Sequence, residues 1–172
     1  MNLLNLLFSN QLGLGYTPNI VCLLSGILYL LYYILDCLDG KQARRLKVGS
    51  PLGYIMDHNL DSFSLIMITL SAINIMQIDV PKYSLLVYLF TTVPFFLANW
   101  EEYITGMMDL PAINGIDEGA FLISGLFIFT YFKGQDFWTQ EFNIFSSKDK
   151  YMLNHTTVLI VLVFSITYCL IK

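Results

Sequence analysis

The stretch NIVCLLSGILYLLYYIL (residues 19–35) runs without interruption into DCLDGKQARR (residues 36–45). Its first part is apolar over about 17 residues, the short end of what crosses the hydrocarbon core of a bilayer as a helix. Its second part is acidic, then glycine-containing, then basic. A lipid-facing helix that opens onto a charged, wet end decides the class of fold, because the same alternation recurs along the chain. Ser62–Gln77, Tyr83–Trp100, Gly119–Phe132 and Thr157–Ile171 are also apolar, so about five spans are expected. An unpaired backbone group in hydrocarbon costs several kcal/mol, and no strand-like alternation is visible, so the spans are expected to be helices. Composition agrees: of 172 residues 56% are hydrophobic and 13% charged, with a mean hydropathy of +0.62, outside the balance of a water-soluble domain. The expectation is an all-α, polytopic transmembrane helix bundle forming a single membrane domain over residues 1–172.

Working outward, Thr17-Pro18-Asn19 opens the first span, with Thr or Asn suited to a cap and Pro to a first turn. The span is expected to end near Asp39-Gly40. Residues 41–56 then read as a polar connection whose strongest breaker is Gly49-Ser50-Pro51. Asp57–Gln77 reads as a helix with an acidic first turn, and 79–82 as a short turn. Residues 101–118, EEYITGMMDLPAINGIDE, form a second polar connection without a basic residue. Residues 133–152 form a loop on the opposite side, with Trp138 and several Phe expected at the membrane interface. Four of the nine Lys and Arg, Lys41, Arg44, Arg45 and Lys47, crowd one short loop. The positive-inside rule assigns that loop to the cytosolic face, and alternation places 101–118 beside it. The basic residues form no stripe interleaved with exposed aromatics, so no nucleic-acid partner is expected. Cys22, Cys37 and Cys169 lack CxxC spacing and read as packing residues. The first 17 residues lack a basic n-region and a small-residue cleavage site, so no cleaved signal peptide is expected.

Asp36 and Asp39 are spaced i, i+3, and Asp57 and Asp61 i, i+4, so each pair shares one helix face. Bare carboxylates at the end of a membrane helix are costly to desolvate and repel one another, which points to a bound cation or a function. Hard oxygen ligands select Mg²⁺, Mn²⁺ or Ca²⁺ over zinc, and Mg²⁺ held by a few carboxylates normally keeps positions for phosphate oxygens. The implied substrate is a phosphate ester. Gly40 and Ala43 keep the helix end free of bulk, Arg44 one turn on from Gly40 offers a bidentate fork to phosphate, and Lys41 and Arg45 add charge.

These residues match DxxDGxxARx8GxxxDxxxD at Asp36, Asp39, Gly40, Ala43, Arg44, Gly53, Asp57 and Asp61. The chain thereby resembles the CDP-alcohol phosphotransferase family. DGKQARR, SPLG, DHxxDS, WEEYITG and LPxINGxxEG are further similar to the eukaryotic choline and ethanolamine phosphotransferases. The resemblance implies a shortened version of the family's roughly six-helix catalytic core. It implies a pair of divalent cations, Mg²⁺ or Mn²⁺, on Asp36, Asp39, Asp57 and Asp61, and a CDP-alcohol site lined by Gly40, Lys41, Ala43, Arg44 and Gly53. It implies transfer of phosphoethanolamine or phosphocholine from CDP-ethanolamine or CDP-choline to diacylglycerol, with release of CMP. The acceptor hydroxyl must lose a proton, and His58 or Asp61 is the expected base. Glu101, Glu102 and Glu118 resemble family positions expected to have structural or headgroup-facing roles. The implied setting is the endoplasmic reticulum or Golgi, with the site facing the cytosol, and the implied assemblies are a homodimer or partner membrane subunits.

The resemblance also implies two spans between the Pro-Asn and the DxxDG. Here Asn19 and Asp36 are 17 residues apart, one helix of about 26 Å, which places them on opposite faces and a lost span near Gly26–Leu28. The eukaryotic relatives are also expected to be about twice as long. The alternative function is therefore an inactive or reduced family member serving as a structural or accessory membrane subunit.

Overall fold

The computed structural model describes residues 16–78, 81–106, 117–142 and 151–152. Among them the architecture is helical: α1 (Asn19–Leu46), α2 (Pro51–Ile75), α3 (Pro81–Thr105) and α4 (Asp117–Lys133), then a 3₁₀ turn (Gln135–Phe137). The one exception is a two-residue antiparallel pair, β1 (Glu141–Phe142) with β2 (Tyr151–Met152), in which Glu141 faces Met152. The helical expectation holds. By length and composition α1 and Lys82–Thr105 of α3 can each cross a bilayer, and Gly119–Lys133 is a shorter apolar helix. The fifth expected span, Thr157–Ile171, lies outside the described residues, as do Cys169 and His155.

Helix boundaries differ from expectation at the charged end. α1 does not stop at Asp39-Gly40 but continues through Lys41–Leu46, because Lys, Gln, Ala, Arg and Leu are strong helix formers and outweigh one glycine. Arg44 and Arg45 fall in its last turn, where cations favour the helix dipole. The helix closes at Lys47, which adopts a left-handed conformation with φ 54°. Gly49-Ser50-Pro51 does break the chain, yet α2 starts at Pro51 and not at Asp57. Ser50 caps it, accepting a 3.1 Å bond from the Gly53 N–H, and proline fits a helix's first turn. The expected 41–56 connection thus shrinks to residues 47–50. Likewise residues 101–105 of the expected 101–118 connection belong to α3, while 107–116 lie outside the described residues.

Pro18 occupies the α1 cap position with no side-chain cap bond. Neither Thr17 nor Asn19 caps, because the buried Thr17 is engaged elsewhere. Its N–H donates to Gln135 Oε1 at 2.9 Å and its hydroxyl accepts from Asn74 Nδ2 at 3.1 Å, tying the entry of α1 to the end of α2 and to the 3₁₀ turn.

The closest helix pair is α1 with α4. A Cβ added at Gly26 would meet the Ser124 carbonyl oxygen at 2.9 Å and Phe127 Cβ at 3.2 Å, so the backbones touch at a small residue, the packing mode that membrane helices favour. Around this contact Cys22, Ile68, Ile75 and Phe127 form one buried cluster. Ile73, Met76, Ile78, Val87 and Trp138 form another. Trp138 is therefore not an interfacial anchor: its indole N–H donates to Thr130 Oγ1 at 2.9 Å, which satisfies the polar edge and allows burial. Outward faces carry exposed Ile20, Leu24, Ile27 and Leu31 on α1 and Leu85, Leu89, Val93 and Phe96 on α3, stripes suited to lipid and costly in water.

Candidate metal and substrate site

Two helices joined by four residues, Lys47–Ser50, deliver the carboxylates. Asp36 and Asp39 lie one turn apart on α1, and Asp57 lies in the second turn of α2. One carboxylate oxygen from each falls within 4.8 Å of the others, with Asp36 half-buried and Asp39 and Asp57 exposed. Unit charges at 4.8 Å repel by about 1 kcal/mol under bulk-water screening and by roughly 3 kcal/mol at an effective dielectric of about 20. Nothing in that trio offsets the repulsion, so the arrangement favours a cation.

The donor set fits a hard divalent ion. Oxygens around Mg²⁺ at bonds of about 2.1 Å sit about 3.0 Å apart when adjacent and about 4.2 Å when opposite. A spread of up to 4.8 Å closes with small rotamer adjustments, and three oxygens leave positions for phosphate.

Asp61 stands apart from that trio. Its Oδ1 accepts a 2.8 Å bond from the Tyr32 hydroxyl across the α1–α2 junction. Asp61 is nonetheless the strongest like-charge neighbour of Asp36, ahead of Asp57 and Asp39. Sequence reasoning passed over Tyr32. The available signal was its position one turn before Asp36, on the same helix face.

Arg44 reaches back one turn: a Cβ at Gly40 would lie 3.7 Å from Nη1 and 3.9 Å from Nη2. The guanidinium thus covers Gly40 on the helix that carries Asp36 and Asp39. Ala43 accepts the Val48 N–H at 3.3 Å, which helps to close α1, and Lys41 is exposed beside it. Gly53 has a structural cause of its own, since a Cβ there would press on Ser50 Oγ at 3.2 Å, the atom that caps α2.

His58 bridges to α3. Its Nδ1 lies 3.0 Å from the Tyr54 carbonyl oxygen and therefore carries a hydrogen. Its Nε2 lies 3.2 Å from Glu102 Oε2, and the Tyr54 ring packs on the imidazole at a centroid distance of 4.1 Å. Glu102 is the feature of this end that sequence reasoning placed without a partner. Asn19 lies at the far end of α1 from the carboxylates, and the Glu118 side chain lies outside the described residues.

A profile of the family described as CDP-alcohol phosphatidyltransferase matches residues 19–168. The chain is similar to the uncharacterized CDP-alcohol phosphatidyltransferase class-I family protein 3 of Dictyostelium discoideum, 41% identical over 127 residues, which covers 73% of this chain and 32% of the relative. It is similar to choline/ethanolaminephosphotransferase 2 of Arabidopsis thaliana, 35% identical over 149 residues, covering 83% of this chain and 38% of the relative. It is also similar to ethanolaminephosphotransferase 1 of Homo sapiens, 34% identical over 142 residues, covering 78% of this chain and 34% of the relative. The chain spans about a third of the length of these relatives.

Proposed function

The chain belongs to the CDP-alcohol phosphatidyltransferase family, and from that premise we propose that it transfers phosphoethanolamine or phosphocholine from a CDP-alcohol to diacylglycerol, releasing CMP. The observation that carries the reading is the convergence of Asp36, Asp39 and Asp57 from two helices within 4.8 Å, with the Arg44 guanidinium over Gly40 on the same helix end. The names of the Arabidopsis and human relatives support the headgroup class.

Asp36, Asp39, Asp57 and Asp61 would hold the divalent cations, Mg²⁺ or Mn²⁺. When bound, these neutralise the pyrophosphate and stabilise the departing CMP. Arg44 offers its fork to a phosphate and Lys41 adds charge, while Gly40 and Ala43 leave room for the nucleotide. Gly53 lets α2 start tightly enough to bring Asp57 to the cluster. The diacylglycerol hydroxyl arrives laterally from lipid and attacks the β-phosphorus in line with the leaving CMP. Its proton is taken up by His58 or Asp61, and the Glu102 carboxylate, 3.2 Å from His58 Nε2, would stabilise an imidazolium. Lys41, Arg44, Arg45 and Lys47 at this end support a cytosolic orientation, and the reaction class supports the endoplasmic reticulum or Golgi. A second copy or partner membrane subunits would cover exposed helix faces.

The test is CMP release by the purified chain in phospholipid bilayers supplied with diacylglycerol, Mg²⁺ or Mn²⁺, and CDP-ethanolamine or CDP-choline. The reading requires metal-dependent CMP that is lost in Asp57→Ala. Absence of CMP with every combination would refute it and leave the accessory-subunit role.

A further inference from the structure

We infer that Tyr32 is a positioning residue for the cation centre: its hydroxyl holds one oxygen of Asp61, so that Asp61 presents only the other to a bound cation. The inference rests on the cation reading given above and adds to it a residue outside the acidic signature.

Three observations carry it. The Tyr32 hydroxyl donates to Asp61 Oδ1 at 2.8 Å, a well-formed O–H···O bond. It is made between helices, from α1 to α2, so it fixes the carboxylate relative to the helix that supplies Asp36 and Asp39. The phenol is itself held: Tyr29 stacks on its ring at 6.5 Å with planes 13° apart, and Tyr29 packs against the buried cluster of Cys22, Ile68, Ile75 and Phe127. A carboxylate offers two oxygens. With one engaged by a rigid donor, Asp61 is a one-point ligand of set direction, distinct from the exposed Asp39 and Asp57, whose side chains can rotate. Outer-sphere partners of this kind commonly set the orientation of metal ligands, and their loss weakens metal binding by about 10–100-fold.

The experiment is Mn²⁺ titration of the full chain in phospholipid nanodiscs, read by the electron paramagnetic resonance signal of free Mn²⁺, with no substrate present. Tyr32→Phe keeps the ring and its stacking, and circular dichroism verifies the fold. It is expected to bind Mn²⁺ at least about tenfold more weakly than the parent. Asp61→Asn is expected to bind at least as weakly, and the double variant no more weakly than Asp61→Asn, because the two changes act through one group. Thr91→Val removes another hydroxyl contact between helices, the 3.3 Å approach of Thr91 Oγ1 to Thr69 Oγ1, and is expected to bind like the parent. Parental affinity in Tyr32→Phe, additive losses in the double variant, or an equal loss in Thr91→Val would each overturn the positioning role while leaving the cation centre standing. A parent chain that binds no Mn²⁺ would overturn the cation reading itself, and the inference with it.

Discussion

Gly26→Ala probes the contact that sets α1 against α4, and the structure supplies its size. The added Cβ would lie 2.9 Å from the Ser124 carbonyl oxygen, 3.0 Å from Ile128 Cγ1 and 3.2 Å from Phe127 Cβ, all inside the 3.4 Å at which ordinary contact begins. Ile128 can turn aside, but the Ser124 oxygen is backbone, so the helices must separate by roughly half an ångström. Overpacking of this kind costs about 1–3 kcal/mol. Alanine in place of glycine within a helix returns about 1 kcal/mol, so the expected net loss is about 0–2 kcal/mol. Gly125→Ala in α4 is the matched control, because a Cβ there meets nothing within 4 Å. It carries the propensity gain without the clash. Subtracting one variant from the other therefore isolates the contact at about 1–3 kcal/mol. Thermal unfolding of both proteins in the same micelle, followed by circular dichroism, would show Gly26→Ala melting several degrees below Gly125→Ala, at roughly 2–4 °C per kcal/mol for a chain of this size. Equal melting temperatures, or a more stable Gly26→Ala, would mean that α1 and α4 do not meet at Gly26.

Two further predictions address the chemistry. Arg44→Lys keeps the charge but loses the planar fork, so KM for the CDP-alcohol should rise about tenfold, with kcat changing less; an unaltered KM in CMP-release kinetics would remove Arg44 from the phosphate site. Glu102→Gln should lower kcat by about tenfold or more while leaving KM for the CDP-alcohol within about twofold, because Glu102 meets His58 at 3.2 Å and not the phosphate-facing residues. A parental kcat would show that the pair takes no part in proton uptake.

Much of this fold and site is legible in the sequence for identifiable reasons. The runs 19–35 and 83–100 lie within the two helices that, among the described residues, are both long and apolar enough to cross a bilayer, because apolar length is a strong signal. Of the four signature carboxylates Asp36, Asp39 and Asp57 come within 4.8 Å of one another, the first two because a spacing of three residues shares a helix face and Asp57 because a second helix brings it there, while Asp61 is turned to Tyr32. The end of α1 was not legible, since Gly40 reads as a breaker while the helix formers after it win by number. The burial of Trp138 is not legible, because its partner Thr130 is supplied by a different element. Tyr32 went unnoticed for a related cause: its distinction comes from Asp61, 29 positions away. The His58–Glu102 approach, 44 positions apart, likewise exists only once α2 and α3 are side by side.

The four-residue turn between α1 and α2 has a consequence for biosynthesis. All the signature carboxylates fall between Asp36 and Asp61, and Tyr32 precedes them by one turn. A nascent chain extruded only as far as Ile78 already holds every one of these groups, on two helices joined by four residues. Contacts so near in sequence form quickly, and translation releases residues in that order. The carboxylate-bearing pair of helices is thus complete as a piece of chain before α3, with Glu102, has been synthesised, whereas the partner that α1 meets at Gly26 arrives only with α4, residues 117–133.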